Sequence, residues 1–176
     1  MVFQSFNLFA HKTILENVCC VEVDRVAAVE ALTSLLLETR KRVGIVLENP
    51  VYRSVRQRQG GDHRALVRAG REDASLVYYP ADEETSLEET MRLAVEKFIL
   101  PEKLDAVIAP NDLAASHIIR ELWQRGIRIP EQIAVAGYDN DPFAESLYPS
   151  LTTIDDNNEE VARRAFELLH ERLTKN

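Results

Sequence analysis

Two polar tips in the second half of the chain have the composition to hold a small ligand by hydrogen bonds. Pro110-Asn111-Asp112 follows an apolar run at residues 106–109, and Gly137-Tyr138-Asp139 follows another at residues 133–136. An amide side chain carries two donors and an acceptor, and an ionised carboxylate can accept from two hydroxyls at once, as a sugar diol requires. Asn111 or Asp112 can equally cap the helix that follows, and from chemistry alone a cap is the simpler reading. No nucleophile and base are paired here. His11, His63, His117 and His170 are scattered, no serine lies in a GxSxG elbow, and Gly60-Gly61 has no phosphate-loop context. The adjacent Cys19 and Cys20 fit no metal-ligand spacing and read as small hydrophobes of a buried strand in a reducing compartment. The chain therefore reads as a non-enzyme, with no catalytic residues, no metal and no cofactor.

Both tips need a frame that puts them side by side. Short apolar runs at residues 18–23, 43–47, 75–79, 106–109 and 133–136, with a short extended piece at 151–154, alternate with helical patterns. Asp24 can cap a helix whose apolar stripe is Val26, Val29, Ala31, Leu32, Leu35 and Leu36. A second helix is expected over residues 55–69, stopping at Gly70, and Ser86-Leu87-Glu88-Glu89 is a capping box for a third that ends at Pro101. Helices at residues 113–125 and 158–173 complete the series. Apolar strands that do not alternate, separated by helices, predict an α/β fold with a doubly wound parallel sheet flanked by helices. In such sheets ligands bind beyond the carboxyl ends of the strands, where both tips fall.

The formal charge of −8 over 176 residues argues against DNA binding by this chain alone, because phosphate contacts draw on Lys and Arg. The basic run at residues 53–71 reads as a solvated helix face and a loop. No apolar run approaches the ~20 residues of a membrane span, and no secretory signal opens the sequence, which together predict a cytoplasmic protein.

The segment at residues 105–154 resembles the lactose-repressor (LacI/GalR) family of transcriptional regulators. The resemblance rests on Asp105-Ala106, Asn111-Asp112, Ala115, Gly126-Ile127, Ile129-Pro130, Ile133, Val135, Gly137-Tyr138-Asp139, Pro149 and Leu151-Thr152-Thr153-Ile154, in order and at the family's spacing. It implies a type I periplasmic-binding-protein-like lobe that binds a small polar effector, a sugar. It further implies that Asn111 hydrogen-bonds the effector, that Asp112 is structural, that Asp139 takes hydroxyls and that Tyr138 packs beneath. Residues 58–66 resemble the family's R-x-x-G-[YF]-x-x-A-L, which makes Arg58 the third ligand-binding residue. Its guanidinium offers a fixed fork of donors complementary to Asp139. Asp62 stands where the family carries an aromatic residue, and Arg56 is the fallback. Tyr148 and its neighbours resemble the family's subunit-contact region, which predicts a homodimer.

The family's helix-turn-helix has no counterpart here, so DNA is expected as a partner only through a headpiece this chain lacks, with the effector acting on it allosterically. Residues 24–155 are expected to form the effector-binding lobe, 156–176 a C-terminal helix, and 1–23 an atypical N-terminal segment. Residues 1–18 resemble the Q-loop region of ATP-binding-cassette transporter ATPases, in which Gln4 would be the magnesium-reaching glutamine. No Walker motif accompanies them. Two other functions remain open: a sugar-binding module of a transport system, and a non-functional fusion with an ATPase fragment.

Overall fold

Consecutive apolar residues bounded by turns supply the strands of a five-stranded sheet: β1 (Val43–Val46), β2 (Leu76–Tyr78), β3 (Ala106–Ile108), β4 (Ala134–Tyr138) and β5 (Thr152–Ile154). The computed structural model describes residues 24–48, 51–71, 76–80 and 85–174. The expected strand at residues 18–23, the two cysteines and Gln4 lie outside them. The order is β2-β1-β3-β4-β5 and every pairing is parallel. Ile45 pairs with Ile108, Ile108 with Ala136, and Tyr138 with Ile154. β1 and β3 are buried along their whole length, as expected of strands covered on both faces.

Side-chain alternation along the strands feeds two cores. Val43, Ile45, Ala106, Ile108, Ala136 and Tyr138 pack with Val29, Leu32 and Leu66 of helices α1 (Arg25–Thr39) and α2 (Arg53–Arg68). On the other face Val46, Val107, Ala109 and Val135 pack with Met91, Phe98, Ile118 and Leu122. These come from α3 (Leu87–Ala94), which runs on as a π-helical turn over Val95–Ile99, and from α4 (Asp112–Gln124). Helices thus cover both faces of a parallel sheet, as the sequence pattern predicts.

Three local details differ from expectation. Ser86 accepts from the Glu89 amide at 3.3 Å, but the Glu89 carboxylate takes Arg92 (2.7 Å) rather than closing a reciprocal capping box. On α1, Ala31 and Leu35 face solvent while Glu30 and Thr33 are buried. The reason is that α1 packs on α2, whose Asp62 and Arg68 supply polar partners to Thr33 and Glu30. The π-helical turn has no counterpart in the apolar spacing.

Residues 25–154 form one compact unit, and the described residues 155–174 fall in a second. Within that second unit, α5 (Asn158–Thr174) is laced by Arg163 pairing with Glu160 and Glu167, and Phe166 stacks on His170 at 6.1 Å.

The strand order places the topological switch between β1 and β3. From β1 the chain turns through α2 to β2 on one side, and from β3 through α4 to β4 on the other. A crevice at that switch is where open α/β sheets hold ligands.

Candidate functional site

Arg58 stands at the switch point. It projects from α2, and its Nη1 donates to the Pro110 carbonyl oxygen at 2.5 Å, just past β3. Its guanidinium lies over the Tyr138 ring, with Cζ 3.8 Å from the centroid. Tyr138, the last residue of β4, is 1% exposed and belongs to the core beneath α1 and α2. Arg58 therefore touches the residue before Asn111 and the residue before Asp139. Its Nε is buried and has no hydrogen-bond partner among the described residues. An unmet buried donor costs about 1–3 kcal/mol, so the position favours an incoming acceptor.

The residues that follow Arg58 set how α2 packs. A Cβ on Gly61 would sit 2.4 Å from the Val26 carbonyl oxygen, so the glycine is what lets α2 close on α1. Asp62, in place of an aromatic side chain, is 1% exposed and accepts from Thr33 Oγ1 at 3.1 Å. Burial pushes its carboxyl up to about 6, against smaller opposing effects of the Thr33 hydrogen bond and of His63. Arg56, the fallback, donates instead to the Val51 carbonyl oxygen at 2.6 Å on an exposed surface.

Asn111 is the N-cap of α4: its backbone is extended and its Oδ1 accepts from the Ala114 amide at 2.7 Å. The cap uses the side-chain oxygen and leaves the amide nitrogen as the group suited to donate to a ligand. Asp112 is fully buried and turns away from this role. Its Oδ1 accepts from Thr153 Oγ1 at 2.6 Å and its Oδ2 from the Asp141 amide at 2.8 Å. Gly137 pairs with Thr153 across β4 and β5, and a Cβ there would come within 2.1 Å of Asp112 Oδ1. Gly137, Asp112 and Thr153 are thus one contact made by three separate sequence motifs.

Asp139 is half-buried at the end of β4 with φ at +105°, followed by Asn140 at +55°. Such angles cost a non-glycine residue about 1–3 kcal/mol and persist only where surrounding bonds impose them. The Asp139 amide donates to Ile154 O (2.9 Å), that of Asn140 to Thr153 Oγ1 (3.2 Å), and that of Asp141 to Asp112.

The fold therefore gathers Arg58, Asn111 and Asp139 at one sheet edge. Sequence reasoning missed a further polar pair there, Tyr79 OH donating to Gln59 Oε1 at 2.8 Å just beyond β2. It also gave Thr153 no part, although the residue sits in a quoted motif. Among the described residues no cluster of His, Cys, Asp and Glu could hold a metal ion, and no helix is long and apolar enough to cross a membrane.

A second concavity lies on the flank of α4. It is a groove of about 360 Å³ lined by Ile119, Trp123, Ile127, Ile129, Tyr148 and Pro149 together with the charged Arg128 and Glu131. Trp123 is 75% exposed and Tyr148 97%.

Comparison with known proteins agrees with this architecture. Residues 30–176 match the family of periplasmic binding protein-like domains. The chain is 43% identical over 86 residues to the HTH-type transcriptional repressor PurR of Vibrio cholerae, which is 48% of this chain and 26% of that protein. It is 32% identical over 161 residues to the HTH-type transcriptional regulator CelR of Thermobifida fusca, covering 90% of this chain and 46% of that one. A solved complex of the regulator CelR with cellobiose superposes with a TM-score of 0.73 at 30% identity, over 86% of this chain and 46% of that one. The chain spans less than half the length of these relatives. With its parallel sheet, the order of its strands and this match over most of its length, the chain belongs to the periplasmic binding protein-like family, as the effector-binding domain of LacI-family transcriptional regulators.

Proposed function

We propose that this chain senses a small polyhydroxylated effector, a sugar, and relays its presence to a helix-turn-helix domain in the cytoplasm. Arg58, Asn111 and Asp139 are the ligand-binding residues. The observation that carries this reading is the placement of Arg58, held at the switch point by Pro110 and Tyr138 with a buried Nε that no acceptor meets among the described residues. Arg58 and the Asn111 amide nitrogen supply donors, and Asp139 supplies the acceptor for a pair of hydroxyls. The CelR relative solved with cellobiose supports a saccharide as the ligand class.

The groove on α4 is the proposed subunit contact of a homodimer. Exposed aromatic residues around an apolar floor suit a surface that a second copy covers. Effector binding acts allosterically, by favouring one of two arrangements of the dimer and so changing how paired DNA-binding domains sit on an operator.

Calorimetric titration with mono- and disaccharides, cellobiose among them, tests the site. A saccharide that binds the wild-type protein and loses at least tenfold in affinity in Asp139→Ala, at unchanged melting temperature, is the expected result. Equal binding by the variant would remove Asp139 from the site.

A further inference from the structure

We infer that Asp112 and Thr153 are positioning residues that hold Asp139 at the sheet edge in its otherwise unfavourable backbone conformation. The inference rests on the reading of Asp139 as a ligand-binding residue and adds what sets its geometry.

Three consecutive amides leave β4 with their hydrogen bonds assigned. Asp139 continues the β4–β5 ladder by donating to Ile154 O. The next two depart from it. Asn140 donates to Thr153 Oγ1, and Thr153 in turn donates to Asp112 Oδ1. Asp141 donates to Asp112 Oδ2. One buried carboxylate thus takes two successive amides of the turn, directly at Asp141 and through a hydroxyl at Asn140. Between the Asp139 amide, held by Ile154, and the Asp141 amide, held by Asp112, φ is +105° at Asp139 and +55° at Asn140. Neither angle is favoured for an L residue, and the bonds that offset them converge on Asp112.

The route is built in. Gly137 has no side chain, and the space its Cβ would occupy is where Asp112 Oδ1 reaches Thr153. The first residue of α4 therefore extends past β4 to β5. Asn111, one residue earlier, caps the same helix. The helix start that presents Asn111 also fixes the turn that presents Asp139, so two ligand-facing groups from different strand ends share one reference point.

The hydroxyl of Thr153 is the link to cut, because Thr153→Val keeps its shape and Thr153→Ser keeps its oxygen. Amide hydrogen exchange of the whole chain is followed by NMR, with Val107 and Ile108 in β3 as core references. In Thr153→Val and in Asp112→Asn, exchange at Asn140 and Asp141 is expected to rise by about tenfold or more while the references keep wild-type rates. Thr153→Ser is expected to restore protection to within about twofold of wild type. Unchanged exchange at Asn140 and Asp141 in both variants would overturn the inference. So would a rise shared equally by the references, which would mean a loss of global stability alone, or a failure of serine to rescue. Cellobiose titration of the same proteins separates this from the function proposed above. Weaker binding in Thr153→Val with recovery in Thr153→Ser supports the positioning role. Absence of cellobiose binding by the wild-type chain counts against that sugar, and the exchange pattern alone then decides the positioning.

Discussion

The guanidinium of Arg58 rests on the Tyr138 ring while one of its nitrogens holds the Pro110 carbonyl oxygen. A planar fork can do both at once, whereas a lysine ammonium is a compact point charge with no planar face to lay on the ring while it donates elsewhere. Arg58→Lys is therefore expected to weaken effector binding by tenfold or more, about 1.4 kcal/mol, while the far-ultraviolet circular dichroism and the melting temperature stay close to wild type. Wild-type affinity in the lysine variant would show that charge alone suffices at this position.

Asn111 has two roles that substitution can separate. Ala removes the cap on α4 and is expected to cost about 1 kcal/mol in denaturant unfolding. Ser replaces the cap oxygen and has no amide nitrogen. Asn111→Ser is thus expected to unfold at the wild-type midpoint and to lose effector affinity. If Ser binds as Asn does, the residue serves the helix and not the ligand.

Asp62 makes stability depend on pH. Its carboxyl titrates at about 6 in the folded protein against an ordinary 3.8, chiefly because it is buried. Between those values the folded state holds more protons than the unfolded one, so this group's contribution falls as pH rises through the window and is at its least favourable above it. Asp62→Asn removes the charge and keeps an oxygen for Thr33. Relative to wild type it is expected to gain on the order of 2–3 kcal/mol at pH 7.5 and almost nothing at pH 4. Urea unfolding at the two pH values measures the difference, and a gain independent of pH would assign it to packing.

Trp123 is the single tryptophan of the chain and lines the exposed groove. Placing a charge there, Trp123→Glu, is expected to raise the dimer dissociation constant by at least about tenfold in sedimentation velocity. Wild-type fluorescence should shift to the blue as concentration carries the protein through the same transition. A concentration-independent spectrum would count against a subunit contact at this groove.

The strands were legible because apolar residues in β1 and β3 run without alternation and end at turn formers, which only a doubly covered sheet requires. The carboxyl-end tips followed from that frame. What the pattern concealed was polar burial. Glu30, Thr33 and Asp62 lie between α1 and α2, while Ala31 and Leu35, which look like core, face water. A helical wheel cannot show that a neighbouring helix brings matching donors and acceptors. The same blindness hid Thr153 and the Gln59–Tyr79 pair, whose partners come from distant segments. Asp62 breaks the family pattern beside Arg58, while Gly61 against Val26 sets how closely α2 approaches α1.

Helix α4 begins beside the sheet-edge residues and passes along the apolar groove, carrying Asn111 as its cap and Ile119 and Trp123 further along. Its 13 residues make a rod of about 20 Å. A rod pivoted at one end works as a lever: a tilt of about 5° at the cap displaces the far end by about 1.7 Å, which is the size of helix shift by which subunit interfaces are repacked. In the proposed mechanism, a hydrogen bond gained or lost at Asn111 is read mechanically at Trp123.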